Sequence, residues 1–218
     1  MDRRTWIKIC GITRLEDALA AVESDIDALG FLFAESPRRV SPDLVRAIAR
    51  DLPPHVLRVG VFVDETPATI ARVVATAELD RVQLHGFEEP MVRELTGTRV
   101  IKAYRARDES VLEEIRERAE DTFLLDTWSG SAAGGTGETF DWGIAKKACE
   151  LGRLVLAGGL TAENVGTAIR EVRPFGVDVS SGVEDAPGLK SAERMRAFVR
   201  AVRDADRARE RAAAPSRD

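Results

Sequence analysis

Short runs rich in β-branched and aromatic residues alternate along the chain with longer stretches whose apolar positions recur every three or four residues. That alternation predicts strand–helix units wound around a parallel sheet. The eight strand runs are TWIKICG, ALGFLF, RVGVFV, RVQLH, RVIKAY, TFLLDT, RLVLAGG and GVDVSSG. Several helices carry readable starts. Thr13 and Glu16 have capping-box spacing ahead of an apolar face of Leu15, Ala18, Leu19 and Val22. Ser41–Pro42 and Thr66–Pro67 each put a hydroxyl N-cap before a proline at the first helical position, where a missing N–H does no harm. Leu44, Ile48 and Leu52 then mark the buried side of the first of these helices. Met195, Phe198, Val199 and Val202 make the stripe of the last helix; beyond it the stripe is lost, which predicts a solvated tail over residues 205–218.

Eight such units with no extra strand predict a closed (β/α)8 TIM barrel, α/β in class and one catalytic domain over residues 1–204, because an open sheet leaves two edges to protect. The chain of 218 residues is long enough, since these barrels run from about 200 to about 250 residues.

Composition narrows the function classes. A net charge of -5 leaves no basic footprint, which argues against nucleic acid as a partner but not against a phosphorylated small molecule. Two cysteines, Cys10 and Cys149, and two histidines, His55 and His85, make neither a disulfide framework nor a ligand-spaced cluster, so no metal is expected. The start MDRRTWIKICG lacks a signal peptide's apolar core and no run is long enough to span a bilayer; the expectation is a cytoplasmic protein with no membrane partner.

In barrels of this type the site lies at the C-terminal ends of the strands. Cys10, His85 and Asp126 end the first, fourth and sixth runs, Gly158 and Gly159 the seventh, and Ser180, Ser181 and Gly182 the eighth. The glycine loops after the last two strands are where many barrels bind phosphate, through close backbone approach and free N–H groups; the plainer reading is a pair of tight turns. GSAAGGTGETFDW, after the sixth run, has no nucleotide-binding context and reads as a lid over the site, or as a plain flexible connection.

Period-two alternation assigns the inward side chains. Lys8 points inward with Cys10, Leu124 with Asp126, Gln83 with His85, and Asp178 with Ser180. In the fifth run Ile101 and Ala103 suit the helix side, which turns Lys102 inward. Buried charges need partners, so Lys8 is expected to pair with Asp178 and Lys102 with Asp126, whether as a structural polar core or as part of a site. Cys149, among alanines on a helix, reads as a buried hydrophobe. Cys10 differs: it stands at the mouth above a lysine, and a nearby cation favours thiolate below the ordinary value of about 8.5. A thiol facing a carboxyl suits proton transfer.

KICGIT, ALGFLF, SPRRVSP, VGVFV, VQLHG, LLDT…GGTGETFDW, LAGGLTAENV and DVSSGVEDAPG, in this order over roughly residues 5 to 200, resemble the phosphoribosylanthranilate isomerase family of tryptophan biosynthesis. The resemblance implies a cofactor-free Amadori rearrangement of N-(5-phosphoribosyl)anthranilate, with Cys10 as general base and Asp126 as general acid. It assigns Arg38, with Arg39 as the alternative, to the anthranilate carboxylate, and Gly158, Gly159, Ser180, Ser181 and Gly182 to the phosphate. Gln83, His85 and Asp178 complete the expected substrate site. Ser191, Phe87 and the arginine-rich tail depart from the family pattern without touching acid or base. The rivals are a barrel isomerase serving histidine and tryptophan pathways together, and a non-catalytic barrel that binds a phosphorylated ligand. A purely histidine-pathway isomerase would carry aspartate at the end of the first strand, where this chain has Cys10. The solvated helix faces suit a monomer, with a dimer through loop contacts as the alternative.

Overall fold

The structure, a computed structural model, describes residues 4–86, 92–127 and 142–213. Eight strands, β1 (Trp6–Cys10), β2 (Ala28–Leu32), β3 (Leu57–Phe62), β4 (Arg81–Leu84), β5 (Arg99–Arg105), β6 (Thr122–Asp126), β7 (Arg153–Ala157) and β8 (Gly176–Val179), close into a barrel in chain order. All neighbours, β8 to β1 included, are parallel. Helices α1 (Leu15–Glu23), α2 (Pro42–Ala49), α3 (Pro67–Ala77), α4 (Val92–Thr96), α5 (Ser110–Arg118), α6 (Gly143–Ala148), α7 (Val165–Val172) and α8 (Ala192–Ala213) follow the strands in turn. A short antiparallel hairpin, β9 (Glu184–Ala186) and β10 (Leu189–Lys190), is inserted between β8 and α8.

The core has two parts because strand side chains alternate. Between barrel and helices lie Ile7, Ile9, Phe31, Phe123, Leu156 and their neighbours; inside the barrel Ala28, Val59, Ile101, Ala103, Leu124, Val155 and Ala157 pack together. The caps at Ser41 and Thr66 form as expected, each hydroxyl accepting from the backbone N–H three residues on.

Several local expectations are corrected. α1 starts with Arg14 at its N-cap, and no side chain caps it; the Thr13 hydroxyl instead donates to the Gly188 carbonyl at 2.5 Å. Leu19 and Leu44 are exposed, because α1 and α2 turn Ala18, Ala21, Val45 and Ile48 to the barrel. Lys102 is not inside. Ile101 and Ala103 fill the interior, so Lys102 lies on the helix side opposite Phe123 and its ammonium reaches the Gly86 carbonyl. The register sets Arg105, rather than Lys102, beside Asp126.

Residues 205–213 are not a frayed tail but the end of α8, in which 205 and 206 are buried while 207, 208 and 210–212 are exposed to solvent as expected. The stripe continues past Val202 through Ala205 and Asp206, both buried, and the Asp206 carboxylate accepts from the Thr5 N–H at 3.0 Å and the Thr5 hydroxyl at 2.6 Å. A small alanine and a partnered acid carry no hydrophobic signal, yet they dock the helix onto the start of β1. The loop read as a lid, apart from Trp142, lies outside the described residues, as does Phe87.

Candidate active site

All eleven residues expected at the site line one cavity of about 510 Å³ at the C-terminal mouth of the barrel. Parallel strands bring this about: every strand end opens on the same face, and alternation turns alternate side chains inward. Cys10 and Asp126 reach the cavity from β1 and β6, which stand three strands apart around the ring.

Beneath Cys10 the Lys8 ammonium donates to Asp178 Oδ2 at 2.8 Å, so that expected pair is formed. Room for both Lys8 and Cys10 comes from the neighbouring strand. A Cβ on Gly30 would lie 2.7 Å from the Cys10 sulfur and 3.0 Å from Lys8 Cε. Burial works against the Lys8 charge, but Asp178 outweighs it and keeps the ammonium protonated. Burial pushes the Cys10 thiol up, and Lys8 only partly opposes this because Asp178, holding Lys8, repels a thiolate. The expected lowering of the thiol is therefore corrected: burial raises it, and Lys8 limits the rise.

Two residues that line this cavity each carry a buried acceptor without a hydrogen-bond partner among the described residues, Asp178 Oδ1 and Gln83 Oε1. Such atoms suit hydroxyl donors on a ligand. The Gln83 amide nitrogen lies 2.6 Å from His85 Nε2. Burial, reinforced by Lys8 and Lys102, lowers the His85 pKa to about 4, so the ring is neutral. With the amide donating, Nε2 accepts and the ring proton sits on Nδ1.

At the other end of the cavity Gly158 and Gly159 take positive φ values of 95° and 61°, a region open to glycine without a Cβ penalty. Asn164 pins this turn, donating to the Gly159 carbonyl at 2.9 Å and accepting from the Thr161 N–H at 2.8 Å. The loop after β8 presses against it so closely that a Cβ on Gly182 would sit 2.0 Å from the Leu160 carbonyl oxygen. The two glycine turns form one wall.

Arg38 lines the cavity, while Arg39 is exposed and does not. Sequence reasoning missed Glu35 and Ser36, which line the cavity, and Glu184 and Lys190, which do not line it but hold Arg38. Glu184 holds the Arg38 guanidinium through Nε at 2.8 Å and Nη2 at 2.6 Å, and accepts from Lys190 Nζ at 2.8 Å. Burial would push the Glu184 carboxyl up, but its bonds from Arg38 and Lys190 prevail and hold it below the usual range. The only sequence signal was an acid next to the second glycine loop. Among the described residues no group of His, Cys, Asp and Glu is arranged to hold a metal ion.

Comparison with known proteins agrees with this geometry. Residues 7–201 match the family model for N-(5'phosphoribosyl)anthranilate (PRA) isomerase. The N-(5'-phosphoribosyl)anthranilate isomerase of Pelobacter propionicus is 54% identical over 199 residues, covering 91% of this chain and 95% of that one. The crystal structure of phosphoribosyl anthranilate isomerase from Thermotoga maritima superposes with a TM-score of 0.84 at 45% identity, covering 92% and 99% of the two chains. A structure of phosphoribosyl anthranilate isomerase in complex with reduced 1-(o-carboxyphenylamino)-1-deoxyribulose 5-phosphate has a TM-score of 0.82 at 43% identity, with coverage of 92% and 99%. By its sequence along nearly the whole barrel and by its fold, the chain belongs to the N-(5'-phosphoribosyl)anthranilate isomerase family.

Proposed function

We propose that Cys10 and Asp126 are the base and the acid of the family's reaction, the conversion of N-(5-phosphoribosyl)anthranilate to 1-(2-carboxyphenylamino)-1-deoxyribulose 5-phosphate in tryptophan biosynthesis. The observation that carries this assignment is a thiol from β1 and a carboxyl from β6 facing one sugar-sized cavity with a glycine wall at its end. Asp126 protonates the furanose ring oxygen while the anthranilate nitrogen pushes its lone pair toward C1, so the C1–O bond breaks and a protonated imine forms. Cys10, once ionised, removes the proton from C2, and the resulting enol tautomerises to the ketone. Each step needs one positioned donor or acceptor and no cofactor.

The phosphorylated substrate lies with its phosphate on Gly158, Gly159, Ser180, Ser181 and Gly182. Its ribose hydroxyls reach the unpartnered oxygens of Asp178 and Gln83, with His85 beside them, and its carboxylate meets Arg38. A monomer accords with four exposed large apolar side chains among the described residues, Leu19, Leu44, Val63 and Leu189, set on separate segments. No helix among the described residues is long and apolar enough to cross a membrane.

The test is the loss of phosphoribosylanthranilate fluorescence with purified protein. Cys10→Ala and Asp126→Asn should each slow the decay by roughly 10²–10⁴-fold while leaving binding of the reduced product analogue largely intact. Undiminished turnover in either variant overturns that residue's role.

A further inference from the structure

We propose that Glu184 is a positioning residue that aims Arg38 at the substrate carboxylate, and that Lys190 leaves the pair with a net positive charge; this rests on the reading of the site given above. A guanidinium presents two forked edges, one from Nε and Nη2 and one from Nη1 and Nη2. Glu184 occupies the first, at 2.8 and 2.6 Å. The second edge has no acceptor among the described residues, and Arg38 lines the cavity. A flexible side chain is thereby held in one orientation before a ligand arrives, which lowers the ordering cost of binding. Gly11 gives the arginine its path, since a Cβ there would stand 2.6 Å from Arg38 Cδ.

By itself, an ion pair between Arg38 and Glu184 would be neutral and would draw no anion. Lys190 changes that sum. Its side chain is fully buried, and Nζ donates to Glu184 Oε1 at 2.8 Å and to the Ser180 carbonyl at 3.1 Å. Two cations and one carboxylate leave one positive charge, enough for one carboxylate in a partly desolvated site.

The hairpin that carries Glu184 and Lys190 is itself tied down. Glu184 Oε1 accepts from the Gly188 N–H at 3.2 Å, and the Lys190 N–H donates to Asp17 at 3.1 Å. The Thr13 hydroxyl fastens its turn to the connection between β1 and α1. The β9–β10 insertion thus acts as the bracket for carboxylate recognition.

The experiment compares two substrates, phosphoribosylanthranilate and its counterpart made from aniline, which lacks the carboxylate. Glu184→Gln should lower kcat/KM for the anthranilate substrate roughly 10- to 100-fold, mostly through KM, with a far smaller change for the aniline substrate. Lys190→Met should act in the same direction, because Glu184 then cancels Arg38. Calorimetry with the reduced product analogue and its aniline-derived counterpart should reproduce the loss of preference. Equal losses on both substrates, or a preference left intact in both variants, overturn the proposal. If one variant fails to fold, the other carries the comparison; if both fail, the trio is a folding element and the proposal falls. Wild-type protein that turns over neither substrate would count instead against the assigned reaction.

Discussion

The Lys8 ammonium lies 2.8 Å from Asp178 Oδ2, with Lys8 wholly and Asp178 almost wholly shielded from solvent, and Asp178 and Cys10 both line the cavity. The lysine's charge acts on two groups, a carboxylate that needs a partner and the thiol proposed above as the base. Lys8→Met should cost about 3–5 kcal/mol of unfolding free energy, because it leaves the Asp178 charge buried alone. Lys8→Met with Asp178→Asn should recover most of that loss in urea melts. In both proteins the alkaline-rising limb of kcat/KM, set by thiol ionisation in the free enzyme, should lie at higher pH than in wild type, since Lys8 acts on the thiol more strongly than Asp178 does. A limb that stays in place would show that Lys8 does not govern Cys10.

His85 predicts a pH dependence of stability. Its folded pKa is lowered from 6.5 to about 4, so on acidification the unfolded chain takes up the proton first. Stability from this group is complete above pH 6.5 and is lost as pH falls toward 4, by on the order of 3 kcal/mol. The carboxylates held low by ion pairs, Glu184 and Asp80, also weaken in acid, so the contribution of His85 is the difference between wild type and His85→Asn. Parallel stability curves for the two proteins between pH 7 and pH 4 would contradict the neutral, buried ring.

The contact of the two glycine turns makes a steric prediction. Gly182→Ala sets a methyl 2.0 Å from the Leu160 carbonyl oxygen, a backbone atom that cannot swing aside, so the loops must separate. Overpacking of this kind costs about 1–3 kcal/mol. KM for the phosphorylated substrate should rise roughly tenfold or more, about what one lost charge-assisted hydrogen bond implies, and inorganic phosphate should lose its ability to compete.

The far end of the barrel gives a prediction of the opposite kind. Asp206→Ala removes the acceptor of two Thr5 hydrogen bonds and a partner of Arg203. Bonds to a charged acceptor contribute about 1.5–3 kcal/mol each, so the denaturation midpoint should fall clearly while kcat/KM stays near wild type. Truncation after residue 204 should do the same. A truncated protein as stable as the full chain would refute the docking role of the last turns of α8.

The sequence by itself determined the barrel and the mouth that carries the chemistry. Alternating strand and helix periods count out the eight units, and parallel strands deliver every strand end to one face, so Cys10, Asp126 and the glycine loops could be grouped from their places in the chain. Lys8 and Asp178 were legible for the same reason: each stands two residues before a mouth residue, on strands that meet when the ring closes. The tertiary structure decided whatever depends on a distant partner or a shared interior. A lone lysine between Ile101 and Ala103 fits either face; the apolar pair packs inside with Val59, Leu124 and Val155, while Lys102 lies on the helix side, with Arg105 rather than Lys102 beside Asp126. Thr13 had every mark of a cap, but a carbonyl 175 residues away took its hydroxyl. Asp206, 201 residues from Thr5, and Glu184, 146 from Arg38, look like ordinary surface acids in the linear chain. Local pattern reports periodicity and turn chemistry; the partner that makes a buried charge tolerable is supplied only when the chain has folded.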